Sequence, residues 1–184
     1  MPGFRRSLST AESRAALRES RAALIDPAPV MDAAAVFLGV RPRSVAETRQ
    51  RLLHLGYPEG LVGGVLERLI EMNYLGDVAF ARAWVESRDR ARPRGENALR
   101  RELAMKGVPR EVVDRVLAAR LTEAGAGATD PNRAAADALL ARRRASFERE
   151  PDLARRRQKA YALLARNGFD PETCREATTS FATE

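Results

Sequence analysis

The chain is poor in the residues that build reactive centres. Its 184 residues include one cysteine, Cys174, and one histidine, His54. A lone cysteine excludes an intramolecular disulfide and a thiolate cluster, and a lone histidine excludes a His–His metal pair. No metal and no other cofactor is expected. No Gly-x-x-x-x-Gly-Lys-Ser/Thr loop is present, and Gly125-Ala126-Gly127 lacks both a preceding strand and the third glycine of a dinucleotide site. No apolar run approaches the roughly 18 residues of a membrane span. Phe4-Arg5-Arg6 is not followed by the unbroken apolar core of a secretory signal. A cytoplasmic protein without a membrane partner is expected. Aromatics make up only 5% of the residues and runs of β-branched residues are few, which argues against sheets.

What fills the chain instead is Ala, Leu and Arg, residues of high helix propensity, and the expected class is all-α. Three stretches share one pattern: Leu52-Leu53-His54-Leu55-Gly56-Tyr57-Pro58, Leu103-Ala104-Met105-Lys106-Gly107-Val108-Pro109 and Leu164-Ala165-Arg166-Asn167-Gly168-Phe169-Asp170-Pro171. Each reads as a helix end, a glycine able to take the left-handed conformation, an apolar residue under the turn, and a proline starting the next helix. Apolar positions after each glycine also correspond: Leu61, Val62, Val65, Leu66 and Leu69 match Val112, Val113, Val116 and Leu117, and more weakly Cys174, Ala177 and Phe181.

A further helix precedes each hairpin. Ser44-Val45-Ala46-Glu47 has capping-box spacing, Asp77 can cap a helix to about Ala91, and Asp130-Pro131 starts one through about Glu148. The expected organisation is a basic arm over residues 1–27, mobile and with one helix, then three tandem three-helix repeats at 28–76, 77–121 and 130–184. A flexible linker is expected at 122–129. Stacked units of this size give an elongated, curved body. Phe80, Trp84, Val85, Leu99 and Leu103 are the expected core of the second repeat; for Phe80 and Trp84, packing is favoured over stacking on a base. Cys174 falls in an apolar register and reads as a buried, inert thiol. No converging pair of carboxylates stands out, so an enzyme is not expected.

Lys and Arg number 32 against 25 Asp and Glu, a net charge of +7. The excess is concentrated, with net +4 in residues 77–120 and net +6 in residues 139–166. A basic surface of this kind is either a solvated face or a site for a polyanionic partner. Arg88, Arg90, Arg92, Arg94, Arg100, Arg101 and Lys106 crowd the bend shaped by Pro93 and Gly95. Arg142, Arg143, Arg144, Arg155, Arg156, Arg157 and Lys159 form the second block.

The stretch Tyr74-Leu75-Gly76-Asp77-Val78-Ala79-Phe80-Ala81-Arg82-Ala83-Trp84-Val85-Glu86-Ser87-Arg88 resembles the central motif of the RecX family. It continues through Arg92-Pro93-Arg94-Gly95, Leu99-Arg100-Arg101-Glu102-Leu103 and Lys106-Gly107-Val108, elements in that family's order. The resemblance extends over roughly residues 30–181. Gly76 departs from it, standing where many relatives carry a second acidic residue. The resemblance implies a non-catalytic regulator, expected to be monomeric, that binds the RecA–DNA filament and restrains RecA's ATPase, recombinase and coprotease activities. The two basic blocks are then the candidate contacts with RecA or with single- or double-stranded DNA. The alternative is a helical-repeat protein that binds nucleic acid without RecA.

Overall fold

A computed structural model describes residues 10–123 and 129–183; Arg5 and Arg6 of the expected arm, and residues 124–128 of the expected linker, lie outside them. Among the described residues all regular structure is helical. Two compact units, residues 1–76 and 77–184, each have their own core.

The first unit contains α1 (Thr10–Ala22), α2 (Ala28–Val40), α3 (Val45–His54) and α4 (Glu59–Glu71). Ser44 forms the expected capping box: its Oγ accepts from Glu47 N at 3.0 Å, and Ser44 N donates to the Glu47 carboxylate at 3.3 Å. Val30, Ala34, Leu52, Val62, Val65, Leu66 and Leu69 bury the inner faces of α2 to α4. Helix α1 is docked, in contrast to the mobile arm expected. Arg21 Nη1 donates to Leu55 O at 3.2 Å, and its guanidinium lies 5.1 Å from the Tyr57 ring centroid. The backbone of Arg18 runs so close to Gly56 that a Cβ there would meet it at 3.0 Å.

The second unit contains α5 (Asp77–Ala91), α6 (Glu96–Met105), α7 (Arg110–Glu123), α8 (Pro131–Ala141), α9 (Arg144–Glu148), α10 (Leu153–Arg166) and α11 (Pro171–Thr183). One apolar cluster joins Phe80, Val85, Leu99, Leu103, Val113, Val116 and Leu117. Another joins Ala136, Leu140, Phe147, Ala160, Leu164, Cys174 and Ala177. The single helix expected from Asp130 through Glu148 is interrupted, because Arg143 leaves helical geometry (φ −113°, ψ 4°). The break places Phe147 in the core, edge-on to Phe181 with ring centroids 5.5 Å apart.

The three glycine turns repeat atom for atom. Gly56, Gly107 and Gly168 have φ of 95°, 72° and 84°, in the left-handed region that a side chain disfavours. The amide after each, on Tyr57, Val108 and Phe169, donates back to Leu52, Leu103 and Leu164, and the apolar ring or side chain it carries is buried.

A fourth glycine acts by close approach. At Gly95, before α6, an added Cβ would lie 2.2 Å from Phe169 N; at Gly168 it would lie 2.4 Å from Ala98 N. The bend between α5 and α6 is therefore pressed backbone to backbone on the turn between α10 and α11. Gly95 N donates to Asn167 O at 3.0 Å and Asn97 N to Gly168 O at 3.1 Å. None of the described helices is long and apolar enough to cross a membrane.

Candidate interaction surface

The arginines of the second unit divide into those that hold the fold and those that do not. Glu102 on α6, largely buried, gathers the first kind. Its Oε2 accepts from Trp84 Nε1 at 2.9 Å and from Arg88 Nε at 2.6 Å, while Arg94 Nε lies 3.5 Å from Oε1 without hydrogen-bond geometry. The Arg88 guanidinium stacks 4.3 Å from the Trp84 ring centroid, and Lys106 Nζ lies 5.2 Å from it. Trp84 is accordingly only partly buried, which corrects the expectation of full burial. Its indole N–H needs an acceptor, and Glu102 supplies one at the edge of the core.

Arg94 also donates through Nη1 to Asn167 Oδ1 across the glycine contact. Arg100 binds Glu96 at 2.7 Å and Asp114, and hydrogen bonds to these two carboxylates push its pKa above the ordinary arginine value. Arg120 holds Asp89 through two bonds, at 2.7 and 3.0 Å, and reaches Pro131 O at 3.1 Å. Burial nonetheless keeps the Asp89 carboxyl above its ordinary pKa, with the Arg120 charge opposing.

The second block divides in the same way. Arg142 donates to Ala91 O and Arg90 O, each at 2.6 Å, and so closes the C-terminus of α5. Arg156 donates to Glu150 O at 3.1 and 2.9 Å, Arg157 to Thr179 Oγ1 at 2.7 Å, and Lys159 binds the Glu150 carboxylate. That lysine draws the Glu150 pKa below its usual value. Arg144 pairs loosely with Glu148 at 3.9 Å, Arg155 with Asp152 at 3.6 Å and Arg90 with Glu86 at 3.9 Å, all exposed.

Of the candidates in the two blocks Arg92, Arg101 and Arg143 remain, and Arg115, Arg149, Arg166 and Arg175 elsewhere in the unit are like them. Each is exposed, and among the described residues none of their side chains makes an ion pair or hydrogen bond. Arg101 lines a shallow groove of about 460 Å³ with Arg100, Ala104, Arg110 and Asp114. The surface is thus built in two layers: committed arginines fix the bends, and uncommitted ones stand on them with full charge and full donor capacity. Chemically such an arrangement offers unoccupied guanidinium donors to an anion. Among the described residues no group of three or more His, Cys, Asp or Glu side chains could hold a metal ion. Cys174 is buried, and burial followed by the Asp170 charge raises its thiol pKa, which fits an inert role.

One cluster was not singled out from the sequence. In the first unit the guanidiniums of Arg43 and Arg51 lie 4.2 and 5.9 Å from the centroid of the Phe37 ring. The first unit has little net charge, so a block count passes over it; the available signal was an aromatic on an almost uncharged helix followed by one arginine in the connection to the next helix and another on that helix.

Comparison with known proteins agrees along most of the chain. The model of the RecX second three-helix domain matches residues 77–117, and that of the RecX first three-helix domain matches residues 31–69. The regulatory protein RecX of Prosthecochloris aestuarii is 32% identical over 158 residues, covering 86% of this chain and 97% of its own. That of Mycobacterium sp. (strain JLS) is 37% identical over 144 residues, covering 77% of this chain and 75% of its own. The crystal structure of RecX from Lactobacillus salivarius superposes with a TM-score of 0.73 at 14% identity, covering 86% of this chain and 97% of that one. A second RecX crystal structure has a TM-score of 0.65 at 20% identity, covering 94% and 78%. At those identities the structural likeness speaks for the fold, and the curated relatives carry the family assignment.

Proposed function

Because the chain belongs to the RecX family of regulatory proteins, we propose that it binds the RecA–DNA filament and restrains RecA's ATPase, recombinase and coprotease activities as a non-catalytic cytoplasmic modulator. In this reading residues 28–76, 77–121 and 130–184 are repeats of one hairpin-based unit. The observation that carries the reading is a set of uncommitted arginines in the two basic blocks, Arg92, Arg101 and Arg143, beside Arg88, Arg94, Arg100, Arg142 and Arg156, which are occupied with folding. A filament offers such arginines both carboxylates and phosphates, and a modulator acts by binding one filament state better than another.

The division between the two kinds of arginine sharpens the test. Arg94 is a poor target, since its loss would disturb the glycine contact. The triple variant Arg92→Glu, Arg101→Glu, Arg143→Glu should keep its helical content and inhibit RecA's DNA-dependent ATPase less than the parent. The gap should narrow as salt rises, because screened and counterion-linked contacts have been removed. Equal inhibition by parent and triple variant at low and moderate salt would mean that these arginines form only a solvated face.

A further inference from the structure

Helix α2 has one charged residue, Asp32, in thirteen. Its inner face is buried through Val30 and Ala34, yet its outer stripe is bare: Val36 and Val40, four residues apart, are 74% and 75% exposed. A helix apolar on both sides ordinarily has both sides covered. Pro29, Ala33, Val36, Phe37 and Val40 line a shallow hollow of about 590 Å³, closed at one side by Arg21, Arg51 and Leu55. A second hollow of about 300 Å³, lined by Phe37, Glu47, Gln50, Arg51 and His54, adjoins it through the shared Phe37 and Arg51.

The rim of this groove is basic and incomplete. Among the described residues, neither Arg43 nor Arg51 has a carboxylate partner, and Arg43 Nε is buried without an acceptor. The Arg43 guanidinium is held against the Phe37 ring, and that of Arg51 stands over it at 5.9 Å from the centroid. Stacking orients a guanidinium while leaving its in-plane N–H groups available. The carboxylates on the walls are Asp32 and Glu47, and Glu47 is already engaged by Ser44 N and by Arg41 at 3.4 Å.

We propose that this groove is a docking site for an acidic amphipathic helix of a partner protein, with its apolar side on the Val36–Val40 stripe and its carboxylates on Arg43 and Arg51. The apolar floor distinguishes this occupant from nucleic acid, whose backbone would leave two valines facing phosphates. Helix-in-groove recognition needs an apolar stripe with flanking charge complementarity, and the groove has both. This site stands on the first unit and does not depend on the filament reading, which concerns arginines of the second.

The test uses the full chain and three fluorescent probes: a 16-residue helical peptide with leucines at i, i+3 and i+7 flanked by glutamates, the same peptide with lysines for glutamates, and a 20-nucleotide single-stranded DNA. The acidic peptide should bind at least about tenfold more tightly than the lysine peptide, and Arg43→Glu with Arg51→Glu should remove about tenfold of that affinity. Val36→Asp with Val40→Asp, at positions already open to solvent, should weaken peptide binding without altering helical content or DNA binding. Equal affinity for the acidic and lysine peptides, or peptide binding indifferent to both pairs of substitutions, would overturn the proposal. No peptide binding to the parent chain, together with DNA binding that the Arg43/Arg51 variant loses, would assign the groove to nucleic acid instead and overturn it equally.

Discussion

Replacing Gly95 by alanine tests the contact that joins the bend between α5 and α6 to the turn between α10 and α11. Gly95 has φ −71° and ψ 160°, a conformation open to any residue, so the substitution carries no intrinsic backbone strain. The cost is steric: the new Cβ would lie 2.2 Å from Phe169 N and 2.3 Å from Gly168 C and O, all backbone atoms that no rotamer change can move. The two bends must part by on the order of 1 Å to restore van der Waals distance. Parting them lengthens Gly95 N to Asn167 O and Asn97 N to Gly168 O, and loosens the Arg94–Asn167 bond. At about 0.5–1.5 kcal/mol for each of the two backbone bonds and about 1.5–3 kcal/mol for the charged one, the expected loss is about 2.5–6 kcal/mol. Urea unfolding followed by far-ultraviolet circular dichroism reads this as a lower midpoint. Gly64→Ala is the internal comparison: Gly64 is exposed inside α4, a Cβ there would meet nothing within 4 Å, and the change should stabilise by about 0.5–1 kcal/mol. If Gly95→Ala falls within about 0.5 kcal/mol of the parent, an ordinary surface effect, the close approach does not exist.

Arg142→Ala should destabilise by about 1–3 kcal/mol through the loss of its bonds to Ala91 O and Arg90 O, whereas Arg143→Ala should leave stability within about 0.5 kcal/mol; similar values for both would refute the division of arginines. Trp84→Phe removes the donor to Glu102 and should cost about 1–2 kcal/mol in thermal or chemical unfolding; a neutral result would mean that the indole is not bonded there. At Asp170, burial alone would raise the carboxyl pKa, but hydrogen bonds from the Thr173 hydroxyl and from the Thr173 and Glu172 amides bring it below the ordinary value. A depressed folded pKa gives stability that is complete above the unfolded value, about 4, and is lost as pH falls through the folded one. Asp170→Asn should therefore lower stability at neutral pH and flatten its decline below about pH 4, and an unchanged acid limb would count against the cap.

The parts of the fold that depend on neighbouring residues were legible in the sequence. Three glycines followed by an apolar residue specify three left-handed turns because only the local chain is involved, and Ser44 with Glu47 specifies a cap for the same reason. The apolar periodicity of α4 and α7 placed Val62, Val65, Val113 and Val116 in the core. Features set by distant partners were not legible. Trp84 sits at the core edge because an acceptor eighteen residues on captures its N–H, and the helix from Asp130 breaks where Arg142 is tied to carbonyls some fifty residues earlier. The role of Gly95 comes from Gly168 and Phe169, and the docking of α1 comes from Gly56 and Leu55. The basic blocks were visible as composition, but which arginines are free depends on where each carboxylate and carbonyl lies. Charge counting treats Arg92 and Arg94 alike, although Asn167 and Glu102 occupy only the second.

Under the proposed function this chain acts on a RecA filament and not on its separate components. Co-sedimentation of the full chain with RecA assembled on single-stranded DNA and a non-hydrolysable ATP analogue tests it most directly, with RecA alone and DNA alone as parallel samples. The chain should pellet with the assembled filament, bind RecA and DNA separately much more weakly, and leave the pellet when Arg92, Arg101 and Arg143 are reversed to glutamate at moderate salt. Sedimentation with DNA alone to the same extent as with the filament, or none with any of the three, would contradict it.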